Sequence, residues 1–212
     1  MSHPPRPVNA VENTGWKNYN KPGGGFSFFF PRQNTRIGHL GNSMAVLKIC
    51  VYPDPVLRRK TTPVDGVGPE LLQLIDDMAE TMVKAPGIGL AANQVGKSIR
   101  VLVIDTKENG AKGPLALINP ELLGGSGEVV FEEGCLSVPE FFSNVKRFSE
   151  VSVRALDRGG KQVEINADGL LAIVLQHEID HLDGKLFIDR ISPVARDIFK
   201  RKWKKRQQEA KS

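Results

Sequence analysis

The residues best suited to chemistry lie in one short stretch, Gln176-His177-Glu178-Ile179-Asp180-His181, which contains an H-E-x-x-H pattern. Residues four apart on a helix stand one turn above each other on the same face. His177 and His181 can therefore present two imidazole nitrogens to one metal ion, with Glu178 beside them to exchange protons with a bound water. The same pattern also describes two ordinary histidines on a helix surface. A catalytic site of the zinc type needs a third protein ligand and one open position for water. In the large H-E-x-x-H protease groups that ligand lies downstream. Here Leu182-Asp183-Gly184-Lys185-Leu186-Phe187 follows without another histidine, and the only later glutamate is Glu209, in a basic tail. The third ligand must come from upstream or be of a different residue type.

The helix needed to carry this pattern is expected to start near Ala167 and run to Leu182, with Gly184 just past its end. Leu171, Leu175, Ile179 and Leu182 make one apolar ridge; Leu170, Val174, His177, Glu178 and His181 make the other. The histidines thus stand on an apolar helix, which argues against a solvated face. Apolar residues at 71, 74, 75, 78, 79 and 82 predict an amphipathic helix over 69–84, with Pro69 in its first turn. Ala45 to Val51 is apolar and β-prone, and Cys50 within it reads as a packed apolar cysteine. Strands are expected at Ile99–Asp105, at Leu115–Ile118 closed by Asn119-Pro120, and at Glu128–Phe131 after a turn at 124–127. Residues 151–155 and 162–165 alternate around Asp157-Arg158-Gly159-Gly160 and predict a hairpin. Ser192-Pro193 resembles a cap and first turn, so a last helix should follow.

Length and composition limit the alternatives. The chain has 212 residues, 40% hydrophobic and 25% charged, which suits one domain with extra segments at its ends. No apolar run approaches the roughly 18 residues of a membrane span. Two cysteines, Cys50 and Cys135, are too few for a disulfide framework. The net charge of +5 is uneven: residues 1–43 carry +4 and residues 196–212 carry +6, leaving −5 on the part between. Residues 1–43 are rich in Pro, Gly, Asn and Ser, with no sustained period. They are read as a disordered extension ahead of order at Met44; an organellar transit peptide is the alternative, and without one the protein is expected in the cytoplasm. The expected organisation is this extension, a catalytic body over 44–191, and a basic helix and tail over 192–212.

Upstream of the helix stands Glu132-Glu133-Gly134-Cys135-Leu136-Ser137-Val138-Pro139. Three blocks now occur in order: Gly87–Gly96 (GIGLAANQVG), Glu133–Pro139 (EGCLSVP) and Gln176–Leu182 (QHEIDHL). In these blocks and their spacing the chain resembles the bacterial type of peptide deformylase over about residues 44–200, the long N-terminal extension being a departure. His177 and His181 are the only histidines outside that extension.

The resemblance implies an α+β fold, with mixed or antiparallel strands packed around a central metal-binding helix and a basic helix at the C-terminus. It implies hydrolysis of the N-formyl group from formyl-methionine at the start of new polypeptides, releasing formate. Cys135, His177 and His181 would hold one divalent metal, Fe²⁺ in the family, although two imidazoles and a thiolate also suit Zn²⁺, Ni²⁺ or Co²⁺. Glu178 would be the general base, and the side-chain amide of Gln94 with the backbone N–H of Leu136 would steady the oxyanion. The peptide would pair with the backbone at Ile88 and Gly89 and contact Glu133 and Gly134. Ile88, Phe131, Leu170, Ile173 and Val174 would line the methionine pocket, their ordinary alternative being core packing. The basic C-terminal helix would dock on the ribosome of a monomeric, non-membrane enzyme; its ordinary alternative is a solvated helix covering one edge of the body. Two other classes remain, a general H-E-x-x-H peptidase and a ribosome-binding module with a dead site. The missing downstream ligand weighs against the first and the intact set of site residues against the second.

Overall fold

The computed structural model describes residues 45–107 and 113–209. The expectations for the leader 1–43 and for Met44 lie outside these residues. The described residues form a mixed α+β unit with three α-helices and seven strands, all paired antiparallel.

Helix α1 spans Pro69–Lys84, as the periodicity predicts, with the proline in its first turn and Ile75, Met78 and Met82 turned inward. Four strands follow: β1 (Gly89–Ala91), β2 (Val101–Ile104), β3 (Leu115–Ser126) and β4 (Val129–Cys135). Next come β5 (Val138–Arg147), β6 (Glu150–Leu156) and β7 (Gln162–Asp168), then α2 (Gly169–Leu182) and α3 (Pro193–Glu209). One sheet has the order β1-β2-β3-β6-β7, and β4 and β5 form a separate hairpin.

Strand alternation sets the two layers against the large sheet. Val101, Val103, Leu90, Ala116 and Ile118 pack with Ile75, Met78 and Met82 of α1. Leu102, Ile104, Ala91 and Leu117, the residues between them, pack with Ala172, Val174, Leu175, Ile179 and Leu182 of α2. The sheet is therefore covered on both faces near β1 and β2, which explains the unbroken apolar run of β2. A third cluster joins Val138, Phe141 and Val145 of β5 to Leu57, Leu186, Phe187 and Phe199.

The structure departs from the sequence expectations where side chains override local signals. Residues 45–51 form no ladder; they lie against α1 and the site through single bonds, such as Leu47 N–H to Thr81 Oγ1 and Cys50 N–H to the Gln94 carbonyl. Strand β3 does not stop at Asn119-Pro120 but runs on through two register shifts. Asn119 sits there at φ 52°, its side chain accepting from the Val64 N–H and donating to the Val64 carbonyl. Helix α2 begins at Gly169, because Ala167 and Asp168 still pair with Val151 and Glu150. Strand β5 has no counterpart in the reading of the sequence. Its buried residues, Val138, Phe141, Val145 and Arg147, do not alternate, and one of them is charged. The expected cap of the last helix is present, with Ser192 Oγ accepting from the Ala195 N–H. No helix among the described residues is long and apolar enough to cross a membrane.

Candidate metal and catalytic centre

Helix α2 is apolar nearly all round, so its polar residues are carried into the interior. His177 and His181 stand with ring centroids 4.9 Å apart. Cys135, at the end of β4, faces them, with its Sγ 3.1 Å from His181 Nε2. One ligand atom from each of Cys135, His177 and His181 lies within 4.8 Å of the others. His177 Nδ1 is 2.8 Å from Glu133 Oε2, and Arg147 binds both oxygens of that carboxylate, at 2.7 and 2.9 Å. An ionised Glu133 can only accept, so Nδ1 is the protonated nitrogen and Nε2 is left for a cation. A thiolate and two imidazoles around one point, one of them oriented by a carboxylate, fit a divalent transition metal.

Burial and neighbouring charge set the protonation of these groups when the centre holds no ion. Burial alone would raise the Glu133 pKa, but hydrogen bonds from Arg147 and His177 hold it down at about 2. Burial works against protonating His177; its contacts with Cys135 and Glu133 outweigh that and raise it well above the usual imidazole value. Burial and the neighbouring charge of His177 push His181 well below it. Burial also lifts the Glu178 carboxyl to about 7, against the opposing charge of His177. Glu178 Oε2 and His181 Nδ1 are buried without a hydrogen-bond partner.

Gln94 belongs to a short 3₁₀ turn, Ala92–Val95, after β1. Its Oε1 accepts from the Ala91 N–H at 2.8 Å, which aims its Nε2 at Ser137 Oγ (3.1 Å) and Cys135 Sγ (3.6 Å). Leu136 adjoins Cys135, and its side chain packs so closely on Gly87 that a Cβ there would meet its Cδ1 at 2.8 Å. Gly89 borders Glu178 in the same way, a Cβ at Gly89 standing 2.8 Å from the carboxyl carbon. A Cβ on Gly134 would meet the Phe142 ring at 2.5 Å. Ile88, Leu170 and Val174 join the cluster beneath α2, Ile173 is buried, and Phe131 is 40% exposed.

Several residues of this centre were not singled out from sequence. Arg147 lies fourteen positions from Glu133 across a hairpin and carries no local signal. Asp180, which accepts from Arg147, was visible inside the H-E-x-x-H stretch, three residues after His177. Asn93 donates to the His181 carbonyl, and Ser137 lies within the second block.

Known proteins resemble this chain across the region that carries these residues. The model of the family described as polypeptide deformylase matches residues 46–197. A peptide deformylase of Syntrophobacter fumaroxidans is 59% identical over 168 residues, covering 79% of this chain and 99% of the relative. The crystal structure of a peptide deformylase from Legionella pneumophila has a TM-score of 0.73 at 47% identity, covering 79% of this chain and 99% of that one. Another from Synechococcus elongatus, in complex with actinonin, has a TM-score of 0.68 at 42% identity, covering 69% and 81%.

Proposed function

The chain belongs to the polypeptide deformylase family, hydrolases that remove the N-formyl group from new polypeptides, and we propose how its own residues perform that reaction. The observation that carries the proposal is the convergence of Cys135, His177 and His181 beside a buried Glu178. Those three residues hold one divalent cation. When bound, such an ion supplies Lewis acidity and makes a water easier to deprotonate. Glu178 takes a proton from the attacking water, for which a carboxylate lifted toward neutrality is matched. The Gln94 amide and the Leu136 N–H donate to the oxygen that gains charge as the formyl carbon becomes tetrahedral. Glu178 then returns the proton to the leaving amine, and formate and a free N-terminus result.

The peptide runs beside β1, with Ile88 and Gly89 pairing with it as an added strand and the backbone of Glu133 and Gly134 on its other side. The Glu133 carboxylate is occupied by Arg147 and His177, so its part is to orient His177. Phe131, Ile88, Leu170, Ile173 and Val174 receive the methionine side chain. Replacing Gln94 by leucine tests this arrangement. It should lower kcat on a formyl-methionyl dipeptide by about 10²- to 10³-fold with the metal retained, and unchanged turnover would contradict the oxyanion assignment.

The body, 44–191, has the metal-binding helix α2 at its centre, and α3 with its tail forms the appended segment. Fe²⁺ is the native ion, and a thiolate ligand beside it makes the site sensitive to air. Anaerobic iron loading should therefore raise activity above that of a zinc-only preparation, and equal activities would overturn the choice. The protein works as a cytoplasmic monomer. The charges of α3, including Lys200, Arg201, Lys204 and Lys205, dock it on ribosomes by counterion release. Co-sedimentation with ribosomes should weaken with salt and disappear on truncation of 196–212.

A further inference from the structure

A chain of buried charge runs from His177 to the surface, and its outer half supplies no ligand. Arg147 uses Nε and Nη2 on Glu133 and its Nη1 on Asp180 Oδ2, at 2.5 Å. Arg190 then takes both oxygens of Asp180, through its Nε and Nη2. The Arg147 side chain is 1% exposed and that of Asp180 6%, whereas Arg190 is 41% exposed. Only the end of the chain reaches water. Two carboxylates and two guanidinium groups balance, so the network is neutral within the apolar interior.

Arg190 matters to this balance more than its exposure suggests. Without it, Arg147 alone must serve two buried carboxylates. Asp180 would draw Arg147 toward itself and slacken its two bonds to Glu133, whose Oε2 fixes the proton on His177 Nδ1. The network also spans both ligand-bearing elements. Asp180 precedes His181 on α2, and Glu133 lies two residues before Cys135 on β4. We propose that Arg190 is a positioning residue of the metal centre, acting through Asp180, Arg147 and Glu133 to hold His177 Nε2 toward the ion.

This inference rests on the reading that Cys135, His177 and His181 hold a metal. The test uses the full chain, stripped of metal and titrated with Co²⁺ against a competing chelator under anaerobic conditions, reading both affinity and the visible cobalt spectrum. Arg190→Ala should weaken Co²⁺ about 3- to 30-fold and alter the spectrum, and Arg190→Lys should recover part of the loss. Arg158→Ala is the control. It removes a bidentate pair with Asp76 that joins the β6–β7 turn to α1, its arginine about as exposed as Arg190 (46% against 41%), and it should leave both readouts as in the parent. In a Glu133→Gln background Arg190→Ala should add nothing, because the path is already cut.

The proposal is overturned if Arg190→Ala binds Co²⁺ like the parent, or if its effect is the same with Glu133 replaced. Should Glu133→Gln fail to fold, a loss in Arg190→Ala that Arg158→Ala does not share upholds the proposal, and equal behaviour overturns it. A parent protein that binds no Co²⁺ at one ion per chain defeats the metal reading itself and takes this proposal with it.

Discussion

Glu178 lies against Gly89 with no room for a side chain between them, and this contact ties the proposed general base to the strand proposed to hold the peptide. Adding a methyl group at Gly89 must displace the carboxyl, since its Cβ would stand 2.8 Å from Cδ and 2.9 Å from Cγ of Glu178. Gly89→Ala should therefore keep the metal and lower turnover, and full activity would show that the close contact is dispensable. Glu178→Ala should also keep the metal, measured by elemental analysis, and lose about 10²- to 10⁴-fold in kcat. Near-parental turnover in that variant would remove Glu178 from its role. At this scale much of the centre was legible, because H-E-x-x-H fixes its own geometry once helical, and the second and third blocks carry Cys135 and both histidines. Arg147 and Arg190 were not legible. Their partners are brought to them by a hairpin and a helix end, and nothing in the adjacent sequence marks an inward-facing arginine.

Helix α3 is fastened by an aromatic cluster, with Arg196 also donating to the Ile188 and Asp189 carbonyls and Arg206 pairing with Glu140. Phe199, 2% exposed, meets Tyr52 with centroids 5.3 Å apart and Phe141 at 4.9 Å, and Trp203 meets Tyr52 at 5.2 Å. Arg206 adds a bond of 2.9 Å to the carbonyl of Pro139, the last residue of the block that carries Cys135. Phe199→Ala should cost about 3–5 kcal/mol in urea unfolding. Val194→Ala, at a position 70% exposed, should stay within about 0.5 kcal/mol. Equal effects would mean that the helix is held by something other than this cluster. Elements with one clean period, α1 and the β6–β7 hairpin, could be read directly from sequence. The continuation of β3 past Ile118 and the whole of β5 could not, because bulges, a left-handed Asn119 and a buried arginine break the alternation that marks a strand.

Across the whole molecule, the buried charge network links folding to pH. Burial opposes ionisation of Glu133, but Arg147 and His177 hold its folded pKa at about 2, below the usual carboxylate value of 4.5. A depressed folded pKa stabilises the protein above the unfolded value, and that contribution is lost as pH falls through the folded one. Stability should therefore decline between about pH 4.5 and 2, by about 3 kcal/mol from this group. Urea unfolding across that range should show a smaller decline in Glu133→Gln, and identical slopes would place the acid sensitivity elsewhere. The sheet, the hairpin and the helix that carries His177 and His181 meet at one centre, and the chemistry proposed for it is removal of a formyl group rather than general peptide cleavage. The most direct measurement supplies anaerobically metal-loaded protein with a formyl-methionyl dipeptide and with a longer unformylated peptide, following formate and internal amide cleavage in parallel. Formate released in step with free amine, with the unformylated peptide left intact, is the predicted result; cleavage of the internal amide, or no formate from the fully loaded protein, would contradict it.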